Sequence, residues 1–106
     1  MIIKPHRIKP KRKVLVKVGI LSTNQFDASS QIDRDSLSFG RTGDENNLHF
    51  CERRLQDVDR DRSKDDLVCY FWVRFECGDT EGILKGKTVD GYPVEGSSPI
   101  AIERCR

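Results

Sequence analysis

No run of apolar residues in this 106-residue sequence approaches the roughly 18 that a membrane-spanning helix needs, so no membrane span is expected. The opening, MIIKPHRIKPKRK, has no apolar stretch of the length found in a signal peptide. There is no CxxC pair, and the only histidines are His6 and His49, which argues against a structural zinc site. Neither histidine belongs to a recognisable catalytic triad pattern, and His49, between Leu48 and Phe50, reads as a partly exposed strand residue. Asp44 and Glu45 are adjacent acids in a turn and read as solvated, so the sequence is not read as an enzyme. Helical stripes with caps, internal repeats and low-complexity linkers are also missing.

What is present fits one small domain. Hydrophobic residues are 36% and glycines number eight, so the apolar share falls just under the globular norm of roughly 45–50%. Charged residues reach 34%, above the usual quarter, yet the net charge is only +2. The charge is unevenly placed. Lys4, Arg7, Lys9, Lys11, Arg12 and Lys13 give residues 4–13 a charge of +6 with no acid among them, which leaves −4 for the rest. This reads as a basic arm, residues 1–12, ahead of a domain at 13–106. Such an arm either touches phosphates or another anionic surface, or is a solvated leader. The lack of interleaved aromatics favours the second.

Period-two patterning predicts strands. In residues 13–21, KVLVKVGIL, β-branched Val14, Val16, Val18 and Ile20 alternate with Leu15, Lys17, Gly19 and Leu21. Residues 22–35 are rich in Ser, Asn, Asp and Gln and read as a loop. Ser36 to Phe39 and Leu48 to Cys51 read as short strands around a turn. LVCYFWVRF, residues 67–75, is apolar on both sides and predicts a central strand covered on both faces. Tyr70 and Trp72 are accordingly expected in core packing. Thr80 to Val89, an Asp90-Gly91 hairpin turn, Tyr92 to Glu95 and Ile100 to Arg104 complete the pattern. Short strands between turn signals predict an all-β chain: a single antiparallel β-sandwich of Ig-like or Greek-key type, with a small β-barrel as the alternative.

Cys51, Cys69, Cys77 and Cys105 form an even set in a short chain, which fits two disulfides in any of three connectivities, and hence an oxidising compartment. The alternative is four buried, reduced thiols. Between Cys51 and Cys69 lies QDVDRDRSKDDLV, residues 56–68. Asp57, Asp59 and Asp61 alternate, and Ser63 and Asp65 continue the rhythm. That is the ligand spacing of an EF-hand-like loop, with hard oxygens converging on Ca²⁺. Arg62 stands where the turn glycine belongs and Val68 where a bidentate Glu closes the loop. With Arg60, Arg62 and Lys64 among five acids, residues 57–66 carry only −2. The segment reads either as a calcium loop or as a self-neutralising exposed loop, whose ion pairs each contribute about 0–1 kcal/mol.

Three stretches carry a resemblance: VKVGILSTNQFDASSQIDRDSLSFGRTGDE, LQDVDRDRSKDDLVCYF and CGDTEGILKGKTVDGYPVEGSSPI. In order and spacing they resemble an uncharacterised module of predicted secreted and cell-surface proteins of bacteria. Its pattern runs IxIKPG, VAILxTxxFD, FGxTG, DVNGDGxxDLVxHF and GDTxxxLxGxTxDGxPxEGxDxI. The resemblance spans residues 2–102. It implies a non-catalytic β-sandwich with a calcium-type loop before the central strand. The matching acids are Asp57, Asp59 and Asp61. The family's last Asp precedes LV, which points to Asp66, but the loop here is one residue longer, so Asp65 and Asp66 compete. Both loop glycines are replaced, by Arg60 and Arg62. The resemblance also implies the pairings Cys51–Cys69 and Cys77–Cys105.

The resulting expectation is an extracellular or cell-surface structural or adhesion module with Ca²⁺ as its cofactor. Its partners would be other cell-surface proteins or neighbouring domains of the same chain. The alternative, less favoured, is a small nucleic-acid-binding β domain in which the basic arm meets phosphates and Tyr70 and Trp72 stack on bases.

Overall fold

The computed structural model describes residues 2–4, 7–21, 28–53 and 66–103. Nine strands follow one another: β1 Ile2–Lys4, β2 Arg7–Ile8, β3 Lys13–Ile20, β4 Ile32–Gly40, β5 Leu48–Cys51, β6 Leu67–Arg74, β7 Glu81–Thr88, β8 Pro93–Pro99 and β9 Ala101–Ile102. A single helical turn, α1 Ala28–Gln31, precedes β4. One sheet has the order β1-β3-β6-β5, a second the order β4-β7-β8, and β2 and β9 form a small parallel pair. The two larger sheets are antiparallel and share one core, so the chain is a β-sandwich. Neither sheet closes on itself, so it is not a barrel.

The alternation in β3 and β6 builds this core. Val16 and Val18 of β3 and Phe71 and Val73 of β6 point inward and meet Leu37 and Phe39 of β4 and Leu84 of β7. Phe39 sits at the centre, its ring 5.9 Å from that of Phe71 and 6.3 Å from that of Phe75. A Cβ at Gly82 would run into the Phe39 ring, so the glycine is what lets β7 lie against it. At the far end of β7, Gly91 has φ +89° and closes the expected hairpin, with the Thr88 N–H donating to the Tyr92 carbonyl at 2.8 Å.

Three expectations change. The Ser/Asp-rich stretch read as a loop up to residue 35 is strand from Ile32 onward. Its ladder with β7 shifts register between Asp33 and Ser38. There the Ser36 hydroxyl donates to the Asp33 carbonyl at 2.6 Å and accepts from the Lys87 N–H at 2.8 Å, standing in for a backbone partner. The segment read from its charges as an arm contributes β1 and β2, and Ile3 and Ile8 between the cations are fully buried. β6 is indeed interior in its sheet, but its outward face is covered only at Val68, which is 1% exposed, and opens beyond it. Leu67, Cys69, Phe71 and Val73 are buried under the three-stranded sheet, whereas Trp72 is 43% exposed and Arg74 is exposed. Tyr70 and Trp72 therefore lie outside the core. Among the described residues no helix is long and apolar enough to cross a membrane.

Candidate functional site

The outward face of the four-stranded sheet gathers side chains that lie far apart in sequence. Strand registers place Lys4, Lys17 and Tyr70 side by side across β1, β3 and β6, with Phe50 of β5 beyond them. The neighbouring row sets Leu15 opposite Trp72, and the last sets Lys13 opposite Arg74. Leu15 is 36%, Phe50 44% and Trp72 43% exposed, so the middle of this face is open and apolar. His49 and Phe50 both point outward because the β5–β6 pairing shifts register between Leu48 and Phe50. The Phe50 and Tyr70 rings stack at 4.6 Å, and His49 lies 5.1 Å from Phe50 and 5.8 Å from Trp72. The Tyr70 hydroxyl donates to Glu52 at 3.0 Å. Desolvation, then the hydrogen bond and the negative charge of Glu52, push its pKa above the usual 10.0.

Asn47 fixes Trp72 in place. Its carbonyl accepts from the Trp72 N–H at 3.2 Å, and its side-chain Nδ2 donates to the Trp72 carbonyl at 2.7 Å. The same amide reaches the other sheet. Nδ2 donates to the Phe39 carbonyl at 2.6 Å, while Oδ1 accepts from the Phe39 N–H at 3.1 Å and the Ser38 hydroxyl at 3.3 Å. β4 is an edge strand, and this one side chain occupies the place a neighbouring strand would take. The preceding turn is held in the same way. The Glu45 carboxylate accepts from the Thr42 hydroxyl at 2.9 Å and the Gly43 N–H at 2.7 Å, and Asp44 pairs with Lys85 at 3.3 Å.

The residues singled out in the sequence are dispersed. Of the six basic residues, Lys4 and Lys13 join the open face. Arg7, Lys9 and Arg12 instead line shallow depressions beside Glu103. Lys11 sits in the turn before β3, where its N–H donates to the Phe75 carbonyl at 2.8 Å. Cys51 and Cys69 face each other across β5 and β6 and form a disulfide. Cys77 is also disulfide-bonded; Cys105 lies outside the described residues. Asp57, Asp59, Asp61, Ser63 and Asp65 lie outside them as well, while Asp66 is fully buried immediately before β6. Among the described residues no group of three or more His, Cys, Asp or Glu is placed to hold a metal.

A groove of about 470 Å³ along β4, β7 and β8 is lined by Asp44, Lys85, Lys87 and Glu95, among others, and its charges are mixed in sign. Lys17, His49, Phe50 and Arg74 were not singled out as site residues. The outward phase of the strand alternation is the signal that marks Lys17 and Arg74. The bulge that turns both His49 and Phe50 outward leaves no sequence signal. No protein-family model, curated protein or solved structure matches the chain.

Proposed function

We propose that the chain is a non-catalytic structural or adhesion module of a bacterial extracellular or cell-surface protein, with a calcium-binding loop between β5 and β6. The Cys51–Cys69 disulfide carries this reading. Disulfides persist in oxidising compartments, and this one joins neighbouring strands at the two ends of the acidic segment. The resemblance of residues 2–102 to the bacterial surface module supports the same reading. The loop donors Asp57, Asp59, Asp61, Ser63 and Asp65 or Asp66 are all oxygen, the chemistry Ca²⁺ prefers. The one among them that is described, Asp66, is a buried carboxylate immediately before the strand that Cys69 anchors. Bound Ca²⁺ would neutralise the loop carboxylates and hold them together.

Two measurements test the proposal. Mass spectrometry after alkylation without reductant should find every cysteine blocked, and four alkylated thiols in native material would remove the surface reading. Melting in millimolar Ca²⁺ and in chelator tests the loop. Ca²⁺ at 100 times its Kd adds about 2.7 kcal/mol, so the melting temperature should rise by roughly 10–20 °C. Identical melting curves would reject calcium while leaving the cross-linked module standing.

A further inference from the structure

The open face holds two cross-strand pairs of like charge. Lys4 is directly opposite Lys17, and Lys13 is directly opposite Arg74. Like charges set opposite one another destabilise a sheet. Among the described residues no carboxylate pairs with Lys4, Lys13 or Lys17, and Arg74 has Glu76 at 3.6 Å. Lys13 and Lys17 lie about 13 Å apart along β3, at roughly 3.3 Å per residue. Between the two pairs stand Leu15 and Trp72, both part-exposed.

We propose that this face binds an acidic polysaccharide, a polymer of uronate sugars, with one sugar ring lying on Trp72 and carboxylates of its neighbours meeting the cation pairs on either side. The apolar C–H face of a pyranose ring suits an exposed indole held in position, and Asn47 fixes the Trp72 backbone on both its N–H and its carbonyl. Bound carboxylates would relieve both repulsions and form charge-assisted hydrogen bonds with the lysines and Arg74. Single-stranded nucleic acid is the competing polyanion. It stacks successive bases on successive free rings, whereas Phe50 and Tyr70 each give one face to the other at 4.6 Å. The disulfide beneath those two rings also suits the oxidising, extracellular setting of the surface-module reading, outside which intracellular nucleic acid would be the polyanion at hand. The choice of polyanion thus rests on the surface-module reading.

Trp72 is the chain's single tryptophan, so its fluorescence reports this face alone. The full chain, with its disulfides intact, is titrated with oligogalacturonate, with a neutral dextran oligomer and with oligo(dT). Oligogalacturonate should give a saturable change in emission that weakens as salt is raised, and dextran should give none. By calorimetry, Trp72→Ala should weaken oligogalacturonate binding at least about tenfold and Trp72→Tyr much less. Lys13→Glu with Lys17→Glu should weaken it at least as much. That double variant adds acids beside existing cations, so its melting temperature should hold or rise, which separates lost binding from lost folding. No saturable binding to oligogalacturonate, equal binding to dextran, or tighter binding to oligo(dT) would overturn the proposal. Free thiols in native material with oligogalacturonate still bound would reject the surface module and leave the face. A cross-linked chain that binds nothing would do the reverse.

Discussion

Asn47→Ala is expected to be the most damaging single change at a part-exposed position. The side chain makes four hydrogen bonds, two to the Phe39 peptide groups, one to the Ser38 hydroxyl and one to the Trp72 carbonyl. A neutral hydrogen bond contributes about 1 kcal/mol net, and a polar group left buried without a partner costs about 1–3 kcal/mol. Phe39 is fully buried, so its N–H and carbonyl have little access to replacement water. The loss should come to about 3 kcal/mol, or a fall of roughly 10–20 °C in melting temperature for a domain of this size. Urea unfolding with the disulfides intact is the assay, read by Trp72 fluorescence. Asn47→Asp sharpens the test. It preserves shape and the accepting oxygen but replaces the donating nitrogen with a second acceptor that faces two carbonyls. Those carbonyls raise the folded-state pKa of the new carboxyl above its unfolded value of about 3.9. Its stabilising protonated form is then fully present below the unfolded value and lost as pH rises through the folded one, so Asn47→Asp should recover stability on acidification relative to Asn47→Ala. An Asn47→Ala variant within about 0.5 kcal/mol of the parent would refute the idea that this amide completes the edge of β4.

Removing the cross-strand disulfide with Cys51→Ala and Cys69→Ala should cost about 3 kcal/mol on the chain-entropy argument, since it opens a loop with a sequence separation of 18. Urea unfolding checks this, and a loss under 1 kcal/mol would show that the β5–β6 pairing holds the loop ends without it. In a Tyr92→Phe background, where Tyr70 is the sole tyrosine, the phenol should titrate above 10.0 by absorbance, and Glu52→Gln should lower its midpoint. Because the folded pKa is raised, the associated stability is complete below the unfolded pKa near 10 and declines as pH climbs through the folded one. A Tyr70 midpoint at or below 10 would contradict the Glu52 contact.

Strands with regular alternation were legible in the sequence and those with interruptions were not. β3, β6 and β7 keep period two, or end at unmistakable turn residues such as Asp90-Gly91, and they lie where the pattern places them. β4 was half missed because its ladder depends on Ser36, and a serine among aspartates looks like loop chemistry until its hydroxyl is seen bonded at Asp33 and Lys87. β1 and β2 carry no legible pattern because Ile3 and Ile8 are single buried residues, too widely spaced among six cations to show a period. The two-sided covering expected for β6 stops at Val68 for another reason. Apolar residues on both faces of a strand state that both faces prefer not to meet water, but a layer must be available for each. The three-stranded sheet supplies one.

The candidate face was less legible than the fold because it is a property of register. Lys4, Lys13, Lys17 and Arg74 are unremarkable as residues, and all but Lys17 and Arg74 were counted merely as charge in an arm. Only when β1 lies against β3 and β3 against β6 do they become two opposed pairs with Leu15 and Trp72 between them. A shift of one residue in either pairing would send Lys17 or Trp72 to the core side and abolish the arrangement. The register is therefore the link between the fold and its proposed use. What fixes it is burial on the opposite face, where Ile3 is set against Val18, Val16 against Phe71 and Val18 against Cys69, all of them buried. The disulfide fixes the other side of β6 by holding Cys51 opposite Cys69, and with it the adjacent Phe50 and Tyr70. The inward-facing residues thus determine which outward-facing residues meet, although none of them would touch a ligand.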